Sequence, residues 1–506
     1  MLLPRVMRAA VLTTALVLAF PALAAAGGGG APSPGAAGIG DRLYPELGNG
    51  GYDVLHYDVA VRYPTAAPST PVTGTVTIDA RATQALSSFD LDFAGDSHGS
   101  VAVNGRPAAV AVSGEDLVIT PQSPIAKGAT FRVVVAGYGA TPTAVNPDDP
   151  TSTAFFSTPD GSATAAQPNF AHLFLPSNDH PRDKASFTFH LDVPEGVTAV
   201  ANGTLTSRDA SGDRVVWNYE QPEPMATELI QLAVGDFAVT VRGTSAGVLV
   251  RDVTPRRLTA QLDPPLSTVL AHLPWLQERV GDYPFGLYGS FVVDDIPFAL
   301  ETQTLTVYGL GWFALPQGVW EPTMVHELAH QWFGNSVAPW EWSDVWLNEG
   351  HATWYEVVYA AEHGELAEDT AGRFNDEGYA DLESYFRAVY AAGDVFRDLF
   401  GPVGLPRDGT VAGLFNPNVY DGGALVLYAL RQKIGPKAFE ALQRAWAARY
   451  RDGVASTADF IALASEVAHR DLSGFLRRWV YDEKTPPMPG HPDWTVDPLP
   501  ATVPMA

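Results

Sequence analysis

Cysteine is absent from this chain. With no thiol there is no disulfide to staple the fold, no thiolate to close a structural zinc site, and no attachment point for a lipid just behind an N-terminal signal. Stability must come from burial of apolar surface, helped by any metal the chain binds. Positive charge is also scarce: 31 Lys and Arg face 57 Asp and Glu, a formal net charge of −26. Phosphate backbones and anionic membranes are gripped by clustered Lys and Arg, so neither nucleic acid nor stable membrane association is expected. Long apolar runs are missing as well. Past the N-terminus no segment reaches the roughly eighteen uncharged apolar residues that read as a membrane span.

What is present begins at the N-terminus. Arg5 and Arg8 flank the start of an apolar run over 9–20, and Ala22-Leu23-Ala24 is an A-x-A cleavage pattern. Residues 1–26 therefore read as a secretory signal, cut after Ala24 or Ala26. The expected location is secreted, with the periplasm or cell envelope also open. Residues 27–43 are mostly Gly, Ala, Pro and Ser and read as a flexible linker. A chain of 506 residues exceeds one ordinary core, which predicts two or three domains.

From Tyr52 the chain runs in short alternating stretches. Residues 57–63, 74–80, 131–135 and 187–193 predict strands, with turn signals at Asn104-Gly105, Ser113-Gly114 and Asn202-Gly203. This gives an antiparallel β domain over 44–245. The hydrophobic period then lengthens to about 3.6. Residues 268–281 predict an amphipathic helix that Pro274 kinks or shortens, and residues 291–293 and 304–308 predict strands. From Gly364 to Tyr481 the pattern is mainly helical. The expected fold class is α+β and multidomain: the β domain, a mainly helical domain over 246–485, and a Pro-rich tail over 486–506.

The most informative stretch is His326-Glu327-Leu328-Ala329-His330. Pro322 suits a first helical turn and Gly334 a helix end, which places these residues on a helix of about twelve residues. Residues four apart share a helix face, so both imidazoles can meet one metal ion. Glu327 projects beside them, where it reaches a water on that ion and not the ion itself. After eighteen intervening residues His330 is followed by Glu349, on a second helix running to Gly364 with Ser343 as its N-cap. Two nitrogens, one carboxylate oxygen and an open position describe a catalytic zinc site.

Further residues extend the pattern. The run 326–335, then Trp342, Asp344 and Trp346-Leu347-Asn348-Glu349-Gly350, resembles the aminopeptidase N family of zinc metallopeptidases, gluzincins with a thermolysin-like catalytic domain. Tyr57-Asp58, the Leu175-Pro176-Ser177-Asn178-Asp179-His180-Pro181 stretch, Tyr283-Pro284-Phe285, Ala299-Leu300-Glu301 and Val419-Tyr420-Asp421-Gly422-Gly423-Ala424 match in the same order. The resemblance implies a saddle-like N-terminal β domain on a thermolysin-like domain and one Zn2+ per chain. It also implies removal of the first residue from peptides with a free N-terminus. A zinc endopeptidase, or a non-catalytic binding protein on the same fold, is the alternative. The short bacterial members lack the large helical C-terminal domain, and this chain is expected to do the same.

The metal ligands are then His326, His330 and Glu349. Glu327 is the general base, and the resemblance makes Tyr420 the donor to the oxyanion. By the same resemblance Glu301, Gln167 and Ala299 fall among the substrate-binding positions, Glu301 and Gln167 at the α-ammonium. Gly, Met and Asn of the family's Gly-Ala-Met-Glu-Asn motif are replaced by Phe298, Leu300 and Thr302. Gly422 stands where a basic residue is usual, and His351 where Phe is usual, as a polar neighbour of the site. Asp344, Asn348 and Glu356 are candidates to orient the ligands. Asn202-Gly203-Thr204 fits a glycosylation acceptor but reads better as a hairpin turn. Asp148-Asp149 and Asp294-Asp295 lack the spacing of a calcium loop.

Overall fold

The period-two stretches pair into one large sheet. The computed structural model describes residues 31–66, 70–141, 154–294 and 296–496. The expected signal, residues 27–30 of the expected linker, Asp148, Asp149, Asp295 and the end of the expected tail lie outside these. In space the sheet runs Thr204–Ser211, Arg214–Met225, Ala185–Pro194, Tyr52–Arg62, Val72–Ala82, Thr130–Ala140, Ser100–Val103 and Arg106–Pro107. Its pairings are antiparallel except where Ala185–Pro194 lies parallel to Tyr52–Arg62. Tyr57, Val59 and Val61 are buried while Asp58 and Ala60 between them are half-exposed, as one-sided burial of a sheet requires. Asn104 and Gly105 have φ of 51° and 74°, the left-handed pair that closes a two-residue hairpin.

Asn202-Gly203 behaves otherwise. The strands it joins, Thr198–Ala201 and Thr204–Ser211, belong to different sheets, so the expected hairpin is not formed. Asn202 is buried, and its amide donates to the carbonyls of Leu229 and Gln303 while accepting from the Gln231 N–H. That leaves it unsuited to carry a sugar.

The last strand of the expected β domain pairs outside the large sheet. Phe237–Ser245 pairs with Val248–Pro255 in a five-stranded sheet that continues through Leu287–Val293, Thr306–Gly309 and Ala299–Leu300. Phe237–Ser245, inside the expected β domain, thus shares a sheet with strands of the expected helical domain. Periodicity identifies a strand but not the sheet it joins.

Among the described residues eleven α-helices follow this strand pair in chain order. They are α1 Thr259–Leu266, α2 Val269–Val280, α3 Gln317–Ala329, α4 Trp346–His363, α5 Leu366–Thr370, α6 Leu382–Phe400, α7 Val411–Leu414, α8 Pro417–Ile434, α9 Pro436–Arg449, α10 Thr457–Val467 and α11 Ser473–Tyr481. Helix α2 runs through Pro274 and ends at Gly281. Helix α3 begins five residues before Pro322, with Pro316 at its N-cap, so Pro322 lies inside the helix and not in its first turn. Ser343 does not cap α4; its hydroxyl instead accepts from Arg42. Gly364 ends α4 in the left-handed region, as expected. Among the described residues no helix is long and apolar enough to cross a membrane.

The described part of the expected flexible linker is bound to both domains. Asp41 is buried, and its carboxylate accepts from the backbone N–H groups of Leu43, Tyr44 and Trp342 and pairs with His180. Arg42 reaches Ser343 and the Pro406 carbonyl. From the β domain, Lys184 donates to the carbonyls of Asn335 and Ser336, and Arg182 donates to that of Trp340 while stacking on its ring. The expected tail is packed as well: Met488 and Trp494 are buried, and Trp494 stacks on Tyr428. Gly and Pro content reads as looseness, but single Asp, Arg and Trp residues set the outcome.

Candidate metal centre

The last turn of α3 carries His326, with His330 at its C-cap, and the first turn of α4 carries Glu349. Their ligand atoms all lie within 4.8 Å of one another. Nε2 of His326 is 3.5 Å, and Nε2 of His330 3.3 Å, from Oε2 of Glu349. Two atoms each about 2.05 Å from one ion at a tetrahedral angle stand roughly 3.3 Å apart. The donor set therefore fits zinc in spacing as well as in kind.

The outer nitrogens support the same conclusion. Nδ1 of His326 meets Oε2 of Glu356 at 2.8 Å, and Nδ1 of His330 meets the Phe333 carbonyl at 3.1 Å. Both partners are acceptors, so Nδ1 carries the hydrogen and Nε2 presents its lone pair to the shared point. Glu349 and Glu356 are seven residues apart, two turns of α4, which puts them on one face. Of the three candidates for orienting ligands, Glu356 does so. Asp344 accepts from the backbone and hydroxyl of Thr457 at the start of α10, and Asn348 packs against Gly334. Asn348 is set beside the ligands only by sequence.

Arg373 anchors Glu356 from the far side and also reaches Asp369 and Asp421. Although burial opposes it, Arg373 and His326 together hold the Glu356 carboxyl down at about 2. This guanidinium explains how Gly422 is tolerated. A side chain at 422 would begin 2.1 Å from Oδ1 of Asn418, and the positive charge beside Asp421 comes from another element instead. No local sequence signal marks Arg373. Replacing Glu356 with Gln should weaken zinc binding about 10- to 100-fold, because the His326 ring loses its charged orienting partner. Competition against a chromophoric chelator measures it, and unchanged affinity would remove Glu356 from the support of the site.

Glu327 is buried, and its Oε2 has no hydrogen-bond partner among the described residues. Burial pushes its carboxyl up to about 8, with Glu301 and Glu349 adding to the effect and the two imidazoles opposing it. Against burial, Glu301 and Glu349 raise His330 to about 9, while His330 and His326 draw Glu349 down to about 2. Without a cation, the protons on the imidazoles balance the carboxylates.

Glu301, Glu327 and His330 form a second close group, again with ligand atoms within 4.8 Å. Glu301 follows the strand Ala299–Leu300, which is the edge of the five-stranded sheet. Its carbonyl accepts from the side-chain amides of Gln331 and Asn335, so the residues just after the histidines pin the strand that carries it. Its Oε1 accepts from Nε2 of Gln167 at 2.7 Å. Gln167 thus joins Glu301 across the domain boundary. Ala299 is half-buried and pairs with Tyr308.

Tyr420 stands in the first turn of α8, capped by Asn416, with its ring nearly parallel to that of His326 at 5.9 Å between centroids. The approach depends on two glycines. A Cβ on Gly350 of α4 would lie 2.8 Å from the Gly423 backbone of α8, so only bare backbones let the helices touch there. His351 is not a ligand. Its Nδ1 donates to the Leu347 carbonyl, its ring stacks on Phe333, and burial lowers it to about 3. Asp294 pairs with Arg257.

Two imidazoles and one carboxylate converging on a point, with a buried glutamate beside them and a β-rich domain closing one side, define an HExxH metallohydrolase centre. The comparisons agree. The Peptidase M1 N-terminal domain matches residues 157–229, and the Peptidase family M1 domain matches residues 317–479. A crystal structure of an M1 zinc metallopeptidase from Deinococcus radiodurans superposes with a TM-score of 0.77 at 28% identity, covering 89% of this chain and 99% of that one. Aminopeptidase M1-D of Oryza sativa subsp. japonica is 24% identical over 62% of this chain and 36% of its own length. Aminopeptidase N of Lactococcus lactis subsp. lactis is 26% identical over 64% and 38%. The chain thus spans little more than a third of these curated relatives. It belongs to the aminopeptidase N, or M1, family of zinc metallopeptidases.

Proposed function

We propose that this chain is a zinc-dependent aminopeptidase that removes the first residue from peptides with a free N-terminus. The observation that carries this reading is Glu301, a buried carboxylate in close contact with the metal-ligand group and held there by Gln167, Gln331 and Asn335. A carboxylate at that point binds an α-ammonium by charge-assisted hydrogen bonds and sets the scissile bond one residue away. A solved mutant of the D. radiodurans protein is bound to a Tyr-Ser-Ala substrate, which is consistent with peptides as ligands.

Zinc, when bound, supplies a Lewis acid that makes water acidic near neutral pH and polarises a carbonyl. The remaining work falls to the chain. Oε2 of Glu327 takes the proton of the attacking water and returns it to the leaving amine. The Tyr420 hydroxyl donates to the oxygen on which charge develops. Glu301 and Gln167 hold the ammonium, and the open side of the strand containing Ala299 offers backbone groups to an extended peptide. We also propose that the chain is exported, on the basis of the charged, apolar and A-x-A pattern over 1–26.

Aminoacyl-nitroanilides assayed beside their N-acetylated counterparts test the reading. Free-amine substrates should release nitroaniline, a chelator should stop it, and acetylation should lower it by at least about 100-fold. Equal cleavage of both would make this an endopeptidase.

A further inference from the structure

A second carboxylate faces Glu301 and has no place in the mechanism above. Glu228 lies in the short 3-10 turn Thr227–Leu229, in the β domain, and is 1% exposed. Its Oε2 accepts from Nε2 of Gln167 at 3.2 Å, and the same nitrogen donates to Oε1 of Glu301 at 2.7 Å. One amide nitrogen therefore bridges two buried acids, whose acceptor oxygens stand at most about 6 Å apart. Among the described residues no Lys or Arg pairs with either acid, and the ion contact of Glu301 is with His330 at 4.0 Å.

Lys184 is near enough for its charge to be felt at Glu228, but its Nζ is bound to the Asn335 and Ser336 carbonyls, so neither acid is neutralised by an ion pair to Lys or Arg among the described residues. Burial, and next the charge of Glu301, push the Glu228 carboxyl well above its usual range. Among the described residues, Oε1 of Glu228 takes no hydrogen bond, nor does Oε1 of Gln167. Both nitrogen-bound hydrogens of Gln167 have acceptors available, which leaves its own oxygen to accept. A primary ammonium is a compact cation with three donors and no acceptor. Glu301, Glu228 and Gln167 offer it three acceptors, two of them on acids that no Lys or Arg pairs among the described residues.

We propose that Glu228 is a third arm of the amine cradle, so that Glu228, Glu301 and Gln167 bind the substrate α-ammonium together. The proposal rests on the aminopeptidase reading and goes beyond it. Glu228 supplies affinity for a charged amine over a neutral group of the same shape. It is a specificity residue contributed by the β domain, so amine recognition is divided between the two domains.

The test uses zinc-loaded full-length protein and two ligands, leucinamide and its α-hydroxy analogue, followed by calorimetry, together with kinetics on leucine nitroanilide. Glu228→Gln keeps the shape and removes the charge. It should weaken leucinamide binding and raise KM by about tenfold, the difference between a charged and a neutral hydrogen bond, while kcat stays within about twofold. Binding of the hydroxy analogue should not change. Glu228→Asp keeps the charge on a shorter arm and should recover part of the loss; it also serves if the Gln variant melts without cooperativity. Unchanged leucinamide binding in a folded Gln variant would overturn the cradle and leave the aminopeptidase reading intact. Equal loss of both ligands would make Glu228 a pocket-shaping residue, and a loss confined to Lys and Arg nitroanilides would make it a side-chain reader; either overturns the proposal. If wild-type protein itself binds both ligands alike and cleaves acetylated substrate, the aminopeptidase reading fails instead.

Discussion

Glu327→Gln is expected to lower kcat by about 10²- to 10⁴-fold while the protein still takes up one zinc per chain. The amide fills the space of the carboxylate but cannot accept the proton of water. His326, His330 and Glu349 are untouched, so metal content measured by mass spectrometry of the purified variant should equal that of wild type. An active variant would remove Glu327 from the role of base. The carboxyl also sets the acid side of the pH profile. It acts only when ionised, so kcat/KM should fall as pH drops through its pKa. Burial places that value at about 8 without a cation, and a dication favours the carboxylate, so the limb should lie below 8. Stability moves the opposite way. A carboxyl raised from 4.5 to about 8 on folding contributes fully below 4.5 and loses that contribution as pH rises to about 8. The Gln variant has no such loss, and its metal-free form should melt higher than wild type at pH 8.

Glu349→Ala should have the other large effect. It removes the one charged ligand and leaves two imidazoles facing an empty corner, each still fixed through Nδ1. Loss of an orienting group costs about 10- to 100-fold in metal affinity, and loss of a ligand should exceed that range, taking turnover with it. The same substitution unpairs His326 and His330, which in the metal-free protein hold their protons partly through Glu349. Chelator competition gives the affinity, and wild-type zinc retention would mean the ion sits elsewhere, the Glu301–Glu327–His330 group being the next place to examine.

The parts of the site legible from sequence are those fixed by helix geometry. Two histidines four apart share a face whatever surrounds them, and Glu349 is marked by its own motif. Glu301 stood out only through resemblance, since three of its four motif neighbours are replaced. Glu228 and Arg373 were not legible. Each reaches the centre from a different element, one across the domain boundary and one beyond the end of α5, and no spacing rule connects them to the residues they touch. Gly422 hinted at Arg373 only as a missing charge. In the fold, periodicity found the strands and the helices, but Phe237–Ser245 shows that it cannot assign them to sheets. Pro322 shows that one punctuating residue does not fix a helix start when another, Pro316, already does so.

The carboxylate of Asp41 has a mechanical consequence. One side chain holds the Trp342 N–H of the helical lobe and His180 of the β lobe, while Lys184 occupies carbonyls just past the histidine helix. Prising the lobes apart would strip acceptors at both places simultaneously, so these contacts oppose a hinge between them. On the aminopeptidase reading proposed above, a chain whose N-terminus is tucked into its own fold would offer no free ammonium to Glu301.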